Sequence, residues 1–134
     1  MNKKIINYRV TYLEMNRKPS FDWPKNLKHK LSILLAKSFP AWYFLFFYKQ
    51  VGKNYYWTDW LRKSEDEIDE FVNDKNVLLY TLIKDGWPVG FYMLDYRKKD
   101  ICDLSFFGLV DEVIGIGLGK YLLQTAVCNK YFPK

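Results

Sequence analysis

The sequence has few of the residues that enzymes use most often for acid–base catalysis and metal binding. Its 134 residues include one histidine and two cysteines, Cys102 and Cys128. The cysteines form no CxxC pair, so we expect two reduced thiols and no zinc site. The lone histidine, His29, lies in a lysine-rich stretch. A histidine triad or a histidine metal site would depend on it alone, so we expect neither.

Long hydrophobic runs and targeting signals are also missing. The main aromatic run, residues 42–48, falls far short of the roughly 20 apolar residues that a membrane span needs. There is no signal-peptide pattern, so we expect a cytoplasmic protein with no membrane partner. The formal net charge of +6 suits an anionic partner, but no basic helix with interleaved aromatics is present. We therefore do not expect nucleic acid to be that partner.

Aromatic residues, in contrast, are abundant and make up 19% of the chain. This content predicts a folded core or a groove built from large rings. The length allows one domain, 1–134, of which we expect residues 1–8 to be flexible. Several rings are candidates for either the core or a substrate groove, and core packing is the more frequent fate. They are Trp42, Phe46, Tyr55, Trp57 and Trp60.

The first half of the chain predicts one strand followed by helices. Residues 9–15 mix β-branched and aromatic residues, which favours a strand. The leucines of residues 27–37 fall on one face of a short helix. The triplet Ser38–Pro40 is typical of a helix start, with serine as the cap, and this helix would end at Gly52. Ser64–Glu67 has the form of a capping box that starts a further helix.

The second half predicts three consecutive strands and a helix. Residues 77–83 and 89–96 read as a hairpin, because the turn signal Asp85–Gly86 lies between them. Residues 101–110 form a third strand, whose nearly continuous apolar pattern is typical of a strand covered on both faces. Apolar residues at helical spacing begin at Leu118. Helices flanking a mostly antiparallel sheet predict an α+β domain.

A glycine-rich turn follows the third strand and precedes the last helix. It contains Gly115, Gly117 and Gly119, and Lys120 comes directly after them. Glycines let a backbone approach a ligand closely, and the first amides of a helix lack partners within the helix. Such a turn is suited to binding a phosphate group, with the lysine adding positive charge.

Two common phosphate-binding motifs do not fit this turn. A P-loop needs serine or threonine after its lysine, whereas Tyr121 follows Lys120, and Ile114 stands where the first glycine belongs. A dinucleotide fold needs the spacing GxGxxG and an acidic residue about 20 positions later, after another strand. Neither condition is met here.

The segment Ile114–Gly119 resembles motif A of the GNAT superfamily of N-acyltransferases, usually written Gln/Arg-x-x-Gly-x-Gly/Ala. The glycines match, while Ile114 takes the place of the leading Gln/Arg and Ile116 that of an often basic residue. The segment Trp87–Phe91 resembles the third strand of the family, and Asp103–Val110 resembles the fourth. The resemblance covers roughly residues 40–128, with residues 10–15 as the first strand.

This resemblance implies a mostly antiparallel sheet flanked by helices and acetyl-CoA as the co-substrate. The pantetheine amides would pair with backbone groups near Leu109 and Val110, and the acceptor would be a small-molecule or peptide amine. Asp103 would act as the base, and a strand amide such as that of Val110 would stabilise the oxyanion. The pyrophosphate would lie on Gly115, Gly117, Leu118, Gly119 and Lys120.

Family members continue after the motif helix with closing strands, whereas the last residues here, 129–134, carry no strand pattern. We therefore expect the C-terminal strands to be missing and the fourth strand to form an exposed edge. Three alternatives follow: an unstable chain, a homodimer in which a second copy covers the edge, or a CoA-binding remnant without turnover. In each case we expect weak or absent acetyl transfer. A non-catalytic interaction module with a basic surface is a further alternative.

Overall fold

A computed structural model describes residues 5–25 and 30–132 of the chain. These residues form a four-stranded sheet, three α-helices and two short 3-10 helices, which confirms the predicted α+β class. The strands are β1 (Leu31–Leu35), β2 (Val77–Lys84), β3 (Trp87–Asp95) and β4 (Asp103–Leu109). The α-helices are α1 (Ala41–Gly52), α2 (Glu65–Val72) and α3 (Leu118–Tyr131), and the 3-10 helices span Asp59–Arg62 and Asp111–Val113.

The sheet is antiparallel throughout, and its strands lie in the order β1-β2-β3-β4. The predicted hairpin between β2 and β3 is confirmed. Asp85 and Gly86 both have positive φ, 52° and 92°, as a two-residue turn between right-twisted strands requires. Each strand therefore pairs with its neighbour in sequence, and β1 and β4 form the two edges.

Helices cover both faces of the sheet. Alternate residues of β3 point to opposite sides, so Phe91 packs with α1 and α2 while Tyr92 packs with α3. The α1 side is rich in rings: Phe47 stacks on Phe91 with centroids 5.0 Å apart, and Phe44 meets Phe106 of β4 at 5.2 Å. These contacts fix β4 against the α1–α2 layer.

A close contact between α1 and β4 lies beside these rings. A Cβ built on Gly108 would lie 2.2 Å from Val51 Cγ1, a separation that real Cβ atoms do not adopt. Val51 and its neighbours in the α1 layer are buried. The absence of a side chain at position 108 therefore allows α1 to approach the sheet at this point.

The predicted helix starts are confirmed in one case and corrected in the other. Ser64 caps α2, since its Oγ accepts from the Glu67 N–H at 3.2 Å and donates to the Glu67 carboxylate at 3.2 Å. α1 ends at Gly52 as predicted, but its N-cap is Pro40, with no side-chain cap. Ser38, the predicted cap, lies outside the helix with a φ of 53°.

The predicted first strand and the helix after it were wrong. Residues 9–15 form no strand and are exposed, with Tyr12 and Leu13 each 91% accessible. Leu31–Leu35, expected within a helix, forms β1, and residues 27–29 of that predicted helix lie outside the described range. Leu31–Leu35 has only a weak local preference for helix, and pairing with the edge of β2 outweighs it. Strand stability depends on such cross-strand neighbours.

The third predicted strand is shorter and more exposed than expected. β4 begins at Asp103, two residues later than predicted, and all seven of its residues are at least partly accessible. The predicted cover on both faces is therefore partial: Phe106 packs on the α1–α2 side and Phe107 on the α3 side. Within the described residues β4 pairs with β3 alone, so the expected exposed edge is confirmed.

Replacing Gly108 with alanine tests the α1–β4 contact. The new Cβ would clash with Val51 Cγ1, so we expect the free energy of unfolding to fall by about 1–3 kcal/mol. Val51→Ala removes the obstructing methyl groups, and the double variant should lose less than the sum of the single losses, by about 1 kcal/mol. Urea unfolding of the four proteins measures this coupling, and additive losses would contradict the contact.

Candidate functional site

The free edge of β4 presents backbone groups that β3 does not use. The Val110 N–H donates to the Val89 carbonyl at 2.8 Å, and the Val110 carbonyl accepts from Val113 at 3.2 Å. Successive residues of an antiparallel strand point their polar groups in opposite directions. The N–H and C=O of Leu109 therefore point away from β3, and those of Phe107 point the same way.

The glycine turn forms an open backbone surface at the end of this edge. Gly115 and Gly117 have φ values of 92° and 89°, and no atom lies within 4 Å of the position that a Cβ would take at either residue. α3 begins at Leu118, and no side chain caps it. The first amides of the helix therefore face the turn without a partner inside the helix. Lys120 lies in the first helical turn and is exposed.

A groove of about 450 Å³ adjoins the turn and the β4 edge. We call it the apolar groove. Its walls come from two chain segments, the end of α1 with residues 55–57, and the end of β4 with the loop that follows it. Ile114 contributes to the second wall. The lining residues are Val51, Tyr55, Trp57, Phe107, Gly108, Leu109 and Ile114.

Asp111 joins the two walls of the apolar groove. Its carboxylate oxygens accept from Asn54 Nδ2 at 3.0 and 2.9 Å, and Lys53 Nζ lies 3.5 Å from one of them. Lys53 and Asn54 directly follow α1, and Asp111 begins the 3-10 helix that leads into the glycine turn. This contact positions the glycine turn relative to α1.

A second groove, of about 370 Å³, lies at the opposite end of β4. We call it the charged groove. It brings together residues from the 3-10 helix after α1, from α2, and from the facing ends of β3 and β4. The lining residues are Trp60, Phe71, Asp95, Arg97, Lys98, Asp103, Ser105 and Phe106.

An ion pair organises one side of the charged groove. The Arg97 guanidinium donates to both oxygens of Asp95 at 2.8–3.1 Å, and the Arg97 N–H donates to Oδ1 at 3.0 Å. These hydrogen bonds hold the pKa of the nearly buried Asp95 below its ordinary value, and they raise the pKa of Arg97. Asp95 is therefore a carboxylate anion whose charge is neutralised by Arg97.

Asp103 lies directly across the strand pair from Asp95. The register of β3 and β4 shifts by one residue between Met93 and Leu94, which leaves Ser105 without a partner in β3. This β-bulge places the two carboxylates opposite each other on the face that carries the groove. Asp103 is exposed and makes no hydrogen bond or ion pair with any described residue.

The structure thus divides the predicted site residues between two places. Leu109 and the glycine turn lie at one end of β4, and Asp103 lies at the other, about 20 Å away along a strand of seven residues. Of the candidate rings, Tyr55 and Trp57 line the apolar groove and Trp60 lines the charged groove. Trp42 and Phe46 line neither. Sequence reasoning did not identify Asp95, Arg97 or Ser105, whose importance depends on the strand register.

The tyrosines of the α3 face do not reach either groove. Tyr92 is fully buried, its hydroxyl accepts from Asn129 Nδ2, and burial raises its pKa. Tyr121 packs against the same cluster, and the Tyr131 hydroxyl donates to the Met15 carbonyl at 2.8 Å. We assign these tyrosines to packing.

Both cysteines are reduced thiols, as expected. Burial raises the pKa of Cys102, which disfavours a reactive thiolate. In the part of the chain that the structure describes, no three histidine, cysteine or carboxylate side chains come together as a set of metal ligands. Nor does any helix within residues 5–25 and 30–132 have the length and apolar character to cross a membrane.

Comparison with solved structures supports the fold. An aminoglycoside acetyltransferase from an uncultured soil metagenomic sample superimposes with a TM-score of 0.54 at 8% sequence identity. The alignment covers 72% of this chain and 69% of the acetyltransferase. No protein-family model matches the sequence, and no curated protein matches it either. The likeness supports the α+β fold described above.

Removing the Asp111 carboxylate tests its role as the link between α1 and the glycine turn. In Asp111→Ala we expect backbone amides of residues 113–117 to exchange about two- to fivefold faster, since an exposed ion pair contributes at most about 1 kcal/mol. Global stability should change little. Hydrogen exchange followed by NMR measures this, with Glu112→Ala as the matched control. Equal exchange in the two variants would rule out the link.

Proposed function

We propose that this protein transfers an acyl group, acetyl in the simplest case, from acyl-CoA to a primary amine. The observation that carries the proposal is the glycine turn at the start of α3, lying at the end of a free strand edge. Open amides at a helix start suit a pyrophosphate, and free strand amides suit the two amides of a pantetheine arm. An acetyltransferase with a similar fold supports this interpretation.

The apolar groove has the features that such a co-substrate requires. The backbone of Leu109 faces the edge where pantetheine would pair, and Gly115 and Gly117 leave open space where side chains would otherwise stand. Val110 does not take part through its backbone, because both of its polar groups are bonded within the protein. Lys120, in the first turn of α3, adds positive charge beside the glycine turn. In motif A the positions of Ile114 and Ile116 carry polar or basic side chains. In this protein backbone groups would make the phosphate contacts instead.

The charged groove would then hold the acceptor amine. Acyl-CoA supplies the activated acyl group, and the protein's part is to position the amine and accept its proton. Asp103 is the candidate base, because its carboxylate is free and faces the groove. The Phe107 N–H is the candidate oxyanion donor instead of the Val110 N–H, since it points to the open edge and lies nearer to Asp103.

Acetyl-CoA should stabilise the protein through the glycine turn. At 100 times its dissociation constant it should add about 2.7 kcal/mol, which raises the unfolding midpoint by several degrees. Gly117→Ala places a methyl group in the open turn at a φ of 89°, so it should abolish this shift.

Gly86→Ala is the matched control for this experiment. Gly86 has a φ of 92° and open space around it, but it lies in the β2–β3 turn outside both grooves. Both substitutions should lower stability by about 1–2 kcal/mol through backbone strain. Only Gly117→Ala should lose the response to acetyl-CoA. No shift in the unsubstituted protein would contradict the proposed co-substrate site.

Asp103→Asn tests the proposed base. Loss of a positioned base should lower the rate of amine-dependent CoA release by about 10²–10⁴-fold while the acetyl-CoA stabilisation stays unchanged. Asp100→Asn, in the exposed loop before β4, should retain the full rate. An unchanged rate in Asp103→Asn would remove Asp103 from the mechanism. Acetyl-CoA binding without transfer to any amine would instead identify a CoA-binding remnant.

A further inference from the structure

Aromatic rings line the charged groove together with its polar groups. The centroids of Trp60 and Phe71 lie 4.4 Å apart, and Phe106 lies 6.0 and 6.2 Å from them. Two of these rings already hold cations: the Arg97 guanidinium lies 4.9 Å from the Phe71 centroid, and Lys63 Nζ lies 4.9 Å from that of Trp60. Ring faces attract cations and also provide apolar surface. The wall of the groove therefore suits an ammonium group with an apolar body.

The charges of the groove favour the same ligand. Asp95 and Asp103 stand directly opposite each other, an arrangement that destabilises a strand pair unless a cation lies nearby. Arg97 bonds both oxygens of Asp95 and makes no contact of this kind with Asp103. The charge of Asp95 is therefore neutralised by Arg97, whereas the Asp103 carboxylate is available to a ligand in the groove.

Arg97 adds little attraction for an anion. Besides Asp95, the carboxylates of Asp74 and Glu70 act on its charge. Lys98 lines the groove as well, but it lies in the exposed loop after β3. The groove lining therefore carries two carboxylates and two cations, and Arg97 is already bonded to Asp95. The carboxylate of Asp103, which makes no ion pair with a described residue, favours a cationic ligand over an anionic or zwitterionic one.

We propose that the charged groove binds the acceptor as a protonated primary amine whose remainder is apolar and uncharged. Asp103 receives the ammonium group, and Trp60 and Phe106 contact the apolar body. This assignment deepens the acyl transfer proposed above and rests on it for the identity of the ligand as an acceptor. The binding itself depends only on the groove, so it can be tested without acetyl-CoA.

The test compares three probes of similar shape on the 134-residue chain by ligand-observed NMR titration. Phenethylamine is a cation, phenethyl alcohol is neutral, and L-phenylalanine is a zwitterion. We expect phenethylamine to bind about tenfold more tightly than either of the others. If the alcohol binds equally well, the ammonium is not recognised. If phenylalanine binds equally well or better, Arg97 and Lys98 recognise a carboxylate. Either result overturns the proposal.

Asp103→Asn locates the site within the groove. It should weaken phenethylamine binding about tenfold and change phenethyl alcohol binding less than about twofold. Asp100→Asn is the matched control, because its positive φ of 61° is one that asparagine tolerates, and it should bind phenethylamine normally. Equal binding by both variants would overturn the assignment to Asp103. The shift in the unfolding midpoint with acetyl-CoA is measured separately. Loss of that shift would contradict the co-substrate site without affecting the test of amine binding in the charged groove.

Discussion

The packing of β4 against α1 is the constraint on which both grooves depend. Among the described residues β4 has a hydrogen-bonding partner strand on one side, so the side chains that cover it hold it in place. Phe106 packs among the rings of α1 and α2, and Gly108 lets Val51 approach to a distance that any Cβ would prevent. These contacts bring the segment after α1, residues 55–60, beside β4. The grooves are the spaces that remain between that segment and the strand.

The two ends of β4 offer different kinds of chemistry. Beside the glycine turn the lining of the apolar groove is mostly apolar, and the free edge of β4 offers backbone polar groups. At the other end the polar groups belong to side chains, including Asp103 and Arg97. Backbone amides recognise a phosphate whatever side chains surround them. The proposed phosphate site therefore does not depend on the side chain of Ile114, which forms a wall of the groove instead.

The sequence predicted the elements that are determined locally. The hairpin follows from Asp85–Gly86, the start of α2 from Ser64–Glu67, and α3 from the spacing after Gly117, because each signal acts within a few residues. The first strand was misplaced for the opposite reason. Residues 9–15 have suitable composition but no partner strand, whereas Leu31–Leu35 has the edge of β2. Strand formation depends on a partner that local composition does not reveal.

The same distinction applies to the candidate site. The glycine turn was predictable because its residues are contiguous, and Asp103 was predictable only as a candidate. Its relation to Asp95 depends on the bulge at Ser105: without the register shift, Asp95 would face Leu104 instead. No local signal in the sequence marks this bulge. The unpaired Ser105 therefore determines which residue of β4 faces Asp95, and it brings the Asp103 carboxylate to the groove.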